Sequence, residues 1–295
     1  MVLRRSLGLT TAVFVTVLVA GCGSDGGDAG DAGDSGGSSP STTAGSAPTT
    51  TTTADATTTT EVAESLQVLV TNDDGVGAEG LDSLVTALSS LEAVTVVVVA
   101  PSEQQSGTGG STTEGPLTTH ASETAGGHEA TAVDGFPADT IRVALDDLGL
   151  EPDLVVAGIN EGQNVGPLVE VSGTVGAARA AASRGIPALA VSQGLGESFD
   201  YEVAAGIVAD WIEEHREALL AGAQGAEVVV SLNVPSCDTG ELRGTLEVVL
   251  ATDLDDFAQD SDCTSTLENP PDDVVAFVNG YAALTEVSVE PAPVP

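Results

Sequence analysis

After Val62 the apolar positions fall into two kinds of pattern. Short runs rich in Val, Leu and Ile occupy residues 68–71, 94–100, 154–157, 188–192 and 228–232, and these have the length and composition of strands. Between them lie Ala-rich stretches at residues 81–91, 139–148, 173–184 and 201–220, whose apolar positions recur at helical spacing. The run at 94–100 is apolar at nearly every position, which predicts a strand buried on both faces. Strands alternating with helices at this spacing predict an α/β fold, with a mostly parallel sheet covered by helices on both faces. Ligands of such sheets gather at the carboxyl ends of the strands. Two polar stretches, residues 102–129 and 253–273, are too long for simple connections and are expected to carry extended hairpins or lids.

The first 61 residues follow neither pattern. Arg4 and Arg5 precede an apolar run from Leu7 to Ala20 and the sequence Val19-Ala20-Gly21-Cys22. A run shorter than the ~20 residues of a membrane span reads as an export signal. The small residues before Cys22 resemble a bacterial lipobox, so residues 1–22 are expected to be a signal peptide whose cysteine becomes lipidated. Residues 23–61 contain almost nothing but small and polar side chains and read as a disordered tether. The spacing of Asp25, Asp28, Asp31 and Asp34 fits no calcium loop, which leaves a solvated linker. The expected protein is therefore extracytoplasmic, with its 62–295 domain held to the membrane only through a lipid on Cys22, or secreted if that cysteine is unmodified. In such a compartment Cys237 and Cys263 are an even pair able to form a disulfide.

Charge narrows the choice of partner. The 295 residues include 45 acidic and 7 basic side chains, a formal charge of -38, and every basic residue is arginine. The absence of lysine removes the P-loop and Schiff-base enzymes. The acidity argues against a nucleic acid polymer, whose backbone is bound through many Lys and Arg contacts. With no C-x-x-C and no H-x-x-x-H, any metal is expected to be held by oxygen.

The segment from Val68 to Gly80 concentrates the chemistry. Gly75-x-Gly77-x-x-Gly80 follows a strand and precedes a helix, as in dinucleotide-binding folds, and Glu103 stands where a ribose-binding acid would. Against an NAD-binding oxidoreductase, Asp73 and Asp74 lie where the pyrophosphate would approach, and a like-charge contact at ~4 Å costs about 4 kcal/mol at an effective dielectric of 20. The same two carboxylates suit a hard divalent ion such as Mg²⁺ or Mn²⁺. Other strand ends also place small oxygen-bearing side chains beside glycine. They are Ser102 to Gly107, Asn160 to Gly166, and Ser172-Gly173-Thr174, which opens a helix and so offers free amides to a phosphate.

Taken together these segments resemble the SurE family of survival nucleotidases. The likeness runs through Thr-Asn-Asp-Asp-Gly (71–75), Val-Ala-Pro to Ser-Gly (99–107), Gly-Phe-Pro-Ala-Asp (135–139), the stretch 152–166, Ser-Gly-Thr-Val-Gly-Ala-Ala (172–178), Pro-Ala-Leu-Ala-Val-Ser (187–192) and Leu-Asn-Val-Pro (232–235). The resemblance implies a Rossmann-like core and hydrolysis of nucleoside 5′- and 3′-monophosphates with one divalent metal ion. It also implies homodimers or tetramers built by exchanging extended segments. It assigns Asp73, Asp74, Ser106 and Asn160 as metal ligands. Asn72, with the two aspartates, becomes catalytic, and Gly107, Asn164, Ser172, Gly173 and Thr174 fall on the phosphate side. The chain departs from the family at Gly77, where His is frequent, over residues 166–171, and at Arg179, which replaces a customary Met. These changes bear on substrate preference and leave the ligand set intact.

The remaining features carry less. Ser192 within Ala190-x-Ser192-x-Gly194 resembles a nucleophile elbow for which His120, His128 or His215 would be the base, but its surroundings are Gly-rich. Trp211 and Phe199 read as core packing. The acids Asp253, Asp255, Asp256, Asp260 and Asp262 read as a solvated loop. A metal-dependent lipoprotein that captures phosphate compounds without turnover is the rival from outside the enzymes.

Overall fold

The computed structural model describes residues 64–253 and 260–292. The expected signal peptide, lipobox cysteine and tether, residues 1–61, lie outside those residues.

A nine-stranded sheet with the order β3-β4-β2-β1-β5-β6-β7-β9-β8 forms the frame. Its strands are β1 (Leu66–Thr71), β2 (Val94–Pro101), β3 (Thr119–Glu123), β4 (Glu129–Val133), β5 (Leu154–Glu161), β6 (Ala188–Gln193), β7 (Val228–Val234), β8 (Thr245–Glu247) and β9 (Ala282–Ser288). From β4 to β7 every neighbouring pair is parallel. The hairpin partner β3 and the strand β9 run antiparallel at the two sides. Along β1 the side chains alternate, so that Leu66, Val68 and Val70 join one core and Leu69 the other. Helices α1 (Glu79–Ser89) and α4 (Tyr201–Leu220) cover the first face through Leu81, Leu84, Leu88, Val208 and Ile212. Helices α2 (Pro137–Arg142) and α3 (Gly173–Ala182) cover the second through Ile141, Val175, Ala178 and Ala181. A short α5 (Asp273–Val278) packs Phe277 and Val274 against Val165.

The chain leaves β1 toward β2 on one side, and β5 lies on the other. The C-terminal ends of β1 and β5 therefore flank the point where the winding reverses, the crevice in which open α/β sheets bind ligands. Helix α4 begins and ends where its pattern predicts, and the hairpin expected in the first long polar stretch is β3–β4.

Three expectations need correction. The strand at 94–100 is not buried on both faces along its length, because β4 pairs only with Val99, Ala100 and Pro101, and the first half of β2 is exposed or half-buried. The helix expected over 139–148 starts earlier, at Pro137, and passes after Arg142 into a π-helical turn, Val143–Asp147. Proline fits the first helical position because its missing N–H has no partner there anyway, and Asp139 accepts the Phe136 amide at 3.0 Å to close the turn. Third, β5 runs through Glu161 instead of stopping at Ala157, with a register shift between Ala157 and Asn160.

Candidate active site

The Asp-Asp pair sits in the turn after β1. Asp73 is 2% exposed and lies against the start of α3, where the Thr174 hydroxyl donates to Asp73 Oδ1 at 2.5 Å. The backbone amides of Gly173 and Thr174 also face it and favour its charged form. Burial pushes the Asp73 carboxyl above the ordinary aspartate range, and these hydrogen bonds oppose the shift. A Cβ on Gly173 would stand 2.8 Å from Asp73 Cβ and Oδ2, so only glycine lets the helix start approach this closely. Ser172 caps the helix by accepting the Val175 amide at 3.2 Å. The three residues assigned to phosphate, Ser172, Gly173 and Thr174, thus build and aim the helix end that grips Asp73.

Asp74 takes the other side of the turn. Its Oδ2 accepts the Glu161 amide at 3.0 Å, which ties β1 to the end of β5. Its pKa is pushed up to about 6, chiefly by burial, with the charges of Asp73 and Glu161 adding and the Glu161 amide opposing. Among the described residues neither aspartate takes part in an ion pair.

Two amide side chains complete the crevice. Asn72 donates to the Gly75 carbonyl at 2.9 Å, and Asn160 donates to the Gly162 carbonyl at 2.6 Å. Each is thereby fixed through its nitrogen, and each leaves a buried Oδ1 with no hydrogen-bond partner among the described residues. A buried unpaired acceptor costs about 1–3 kcal/mol, so both oxygens have bonding capacity that the described residues leave unused. The loop after β2 is drawn in by the Gln105 amide, which donates to the Asp73 carbonyl at 2.6 Å. Ser106, one residue on, is exposed and accepts from Gln104 Nε2 at 2.6 Å, and Gly107 is exposed beside it. The donors assigned from the sequence, two carboxylates, an amide oxygen and a hydroxyl, are all oxygen, the chemistry that a hard divalent ion prefers. Among the described residues no group of three or more His, Cys, Asp and Glu side chains gathers here or elsewhere, so the acidic donors at this crevice are the two aspartates.

Asn164 lies farther along the sheet. Its amide donates to Asn233 Oδ1 at 2.7 Å and its side chain donates to Ser192 Oγ at 2.9 Å, which attaches it to the ends of β6 and β7. Ser192 itself is 2% exposed and holds this bond instead of meeting a histidine. His120 lies on β3, His128 contacts Thr86, and His215 stacks on Trp211 within α4, with 4.0 Å between ring centroids.

Beside Asp74 opens a cleft of 560 Å³ lined by Glu79, Gln104, Glu161, Phe199 and Tyr201. Sequence reasoning missed it as a unit, since its walls come from four separate segments. Phe199, read as core packing, does pack against the core and also stacks on Tyr201, with 5.3 Å between centroids. Gly80, part of the dinucleotide-like pattern, serves close packing of α1 on β5, since a Cβ there would lie 2.1 Å from the Ile159 carbonyl oxygen.

Cys237 and Cys263 are joined by a disulfide with 5.6 Å between their Cα atoms. Arg179 accounts for one departure from the family pattern, since its guanidinium forms a bidentate pair with Glu170 at 3.0 and 2.9 Å and also reaches the Val169 and Ser288 carbonyls.

Comparison with known proteins matches residues 68–254 to the family described as Survival protein SurE. A 5′-nucleotidase SurE of Thermosipho melanesiensis is 35% identical over 240 residues, covering 76% of this chain and 92% of the relative. One from Brevibacillus brevis is 31% identical, covering 76% and 91%. The crystal structure of a SurE protein from Aquifex aeolicus superposes with a TM-score of 0.63 at 27% identity, covering 77% of this chain and 94% of that one.

Proposed function

The chain belongs to the SurE family, and from that membership and the crevice geometry we propose that it hydrolyses nucleoside 5′- and 3′-monophosphates with one divalent cation, Mg²⁺ or Mn²⁺. It is a phosphomonoesterase of the nucleotidase kind, as its relatives' names indicate. The observation that carries the metal requirement is the pairing of two unneutralised, largely buried carboxylates with the orphaned Asn160 Oδ1. Asp73, Asp74, Asn160 and Ser106 would hold the ion. When bound, it supplies Lewis-acid stabilisation of the charge that develops on the phosphoryl oxygens.

The protein's own groups do the positioning. The start of α3 fixes Asp73, the Glu161 amide fixes Asp74, and the Gly162 carbonyl turns Asn160 so that Oδ1 faces away from its own bond. Asn72 Oδ1, which has no partner among the described residues, or a second carboxylate oxygen would orient the attacking water in line with the leaving oxygen. No side chain forms a covalent bond to the substrate. Gly107 and Asn164 border the phosphate, with Ser172, Gly173 and Thr174 acting there through Asp73.

We further propose that the chain acts outside the cytoplasm, anchored by a lipid on Cys22, and that it works as a homodimer or tetramer. Phosphate release from AMP with Mn²⁺, abolished by EDTA and by Asp73→Asn, is the expected result. Tight AMP binding without release would mark the chain as a metal-dependent phosphate-compound binder instead.

A further inference from the structure

The cleft beside Asp74 has a composition that the phosphate chemistry does not require. It begins at the reacting centre, because Asp74 belongs to both and Gln104 is bonded to Ser106. One wall is apolar, formed by the stacked rings of Phe199 and Tyr201, whose planes differ by 6°. Two exposed carboxylates, Glu79 from the first turn of α1 and Glu161 from the end of β5, also line it. No arginine lines the cleft, and neither glutamate is in an ion pair among the described residues. Their charges act on the cleft's own groups. Burial first, and then the carboxylates of Glu161, Asp74 and Glu79, push the Tyr201 phenol upward, so it stays protonated and available as a donor.

We infer that Glu79 and Glu161 make this cleft an anion-rejecting subsite for the leaving group, so that the enzyme takes phosphate monoesters of uncharged alcohols and turns away those whose alcohol carries a negative charge. The inference rests on the monoesterase reading. In hydrolysis of AMP the group departing into the cleft is a neutral nucleoside, which the ring wall can cover. In hydrolysis of ADP or polyphosphate at its end it is an anion, which meets two carboxylates at close range. The overall charge of -38 opposes every anionic substrate. That long-range effect is screened over ~10 Å at 0.1 M salt, whereas close charges within a cleft are screened less. The local pair therefore discriminates among substrates of equal phosphate charge, and continues to do so in salt.

Glycerol 3-phosphate and 3-phosphoglycerate make a matched probe, since both are monoesters and the second adds one carboxylate to the leaving group. With metal saturation verified, at about 0.3 M NaCl where the Debye length is well under 10 Å, the parent protein is expected to favour glycerol 3-phosphate in kcat/KM by at least about tenfold. Glu79→Gln with Glu161→Gln should narrow that ratio by about tenfold, and Glu161→Arg should narrow it or reverse it. A ratio unchanged in both variants, or no preference in the parent, overturns the inference. Absence of turnover of AMP, p-nitrophenyl phosphate and glycerol 3-phosphate by the parent protein overturns the hydrolase reading instead. The two failures are thus told apart.

Discussion

Replacing Asp74 with asparagine should make the metal-free protein more stable while destroying its metal site. Asp74 is half-buried beside Asp73 and Glu161 with no cation paired to it among the described residues, and its pKa is pushed up to about 6 from an ordinary 3.8. An acid whose folded-state value lies above its unfolded one holds its proton more firmly in the native state. Stability therefore falls as pH rises from about 4 to about 6, and the whole cost is present above that range. The displacement converts to about 3 kcal/mol. Because part of the carboxylate remains in contact with water, screening brings the expected gain from Asp74→Asn to about 1.5 kcal/mol. In a domain of this size such a gain corresponds to about 3 °C in melting temperature. Asparagine preserves shape, and its Oδ1 can still accept the Glu161 amide, so removal of charge is the main change.

The assay is thermal unfolding of parent and variant in EDTA. The variant should melt higher at about pH 7.5, and most of the gain should vanish at about pH 4, where the native parent's Asp74 is already protonated and the unfolded chain's is only partly ionised. With excess Mn²⁺ the order should reverse, because only the parent gains from the ion. A variant no more stable than the parent at about pH 7.5, or a gain that persists undiminished at about pH 4, would refute the electrostatic account.

Other outcomes follow from the same packing. Gly173→Ala drives a Cβ into Asp73 and should weaken Mn²⁺ binding by about tenfold in calorimetry, with melting lowered by a few degrees. Arg179→Met leaves the nearly buried Glu170 carboxylate without its partner and should cost about 3 kcal/mol in denaturant unfolding, part of which Glu170→Gln restores. Loss of the Cys237–Cys263 bridge, which spans 26 residues, should cost about 3 kcal/mol. A Cys237→Ala, Cys263→Ala protein with an unchanged unfolding midpoint would show that the bridge does not constrain the unfolded chain.

What the sequence disclosed is what lies close together along it. Asn72, Asp73 and Asp74 are neighbours at the end of an unmistakable apolar run, and Asn160 lies in another, so the residues that meet at the ends of β1 and β5 are legible before any geometry. Strand β9 was not, because the alternation of Ala282–Ser288 is short and its antiparallel partner β7 lies about fifty residues earlier. The service of Thr174 was also hidden. A helix start rich in small residues reads as a phosphate cradle, and only the 2.5 Å contact shows that its donors are spent on a carboxylate 101 residues away. The Glu79, Glu161, Phe199 and Tyr201 cleft was invisible for the same reason, since no local pattern links α1, β5 and the approach to α4.

The distribution of arginine gives a further reason to place a cation in the crevice. The chain has no lysine, and all five arginines among the described residues are engaged in holding the fold. Arg142 bonds the Thr113 and Gly115 carbonyls and meets Asp139, and Arg179 is clamped by Glu170. Arg184 pairs with Asp146, Arg216 with Glu213, and Arg243 bonds the Asn279 carbonyl while lying over the Tyr281 ring. None of them lines the cleft beside Asp74, and the start of α3 is already turned on Asp73 through the Thr174 hydroxyl. A phosphate dianion approaching two carboxylates thus finds no cationic side chain to offset the repulsion, which at ~4 Å amounts to about 4 kcal/mol per charge pair at an effective dielectric of 20. In our reading a divalent ion held by those carboxylates reverses the sign of that interaction. The acidic pair that would expel the substrate from the bare protein then becomes the means of binding it.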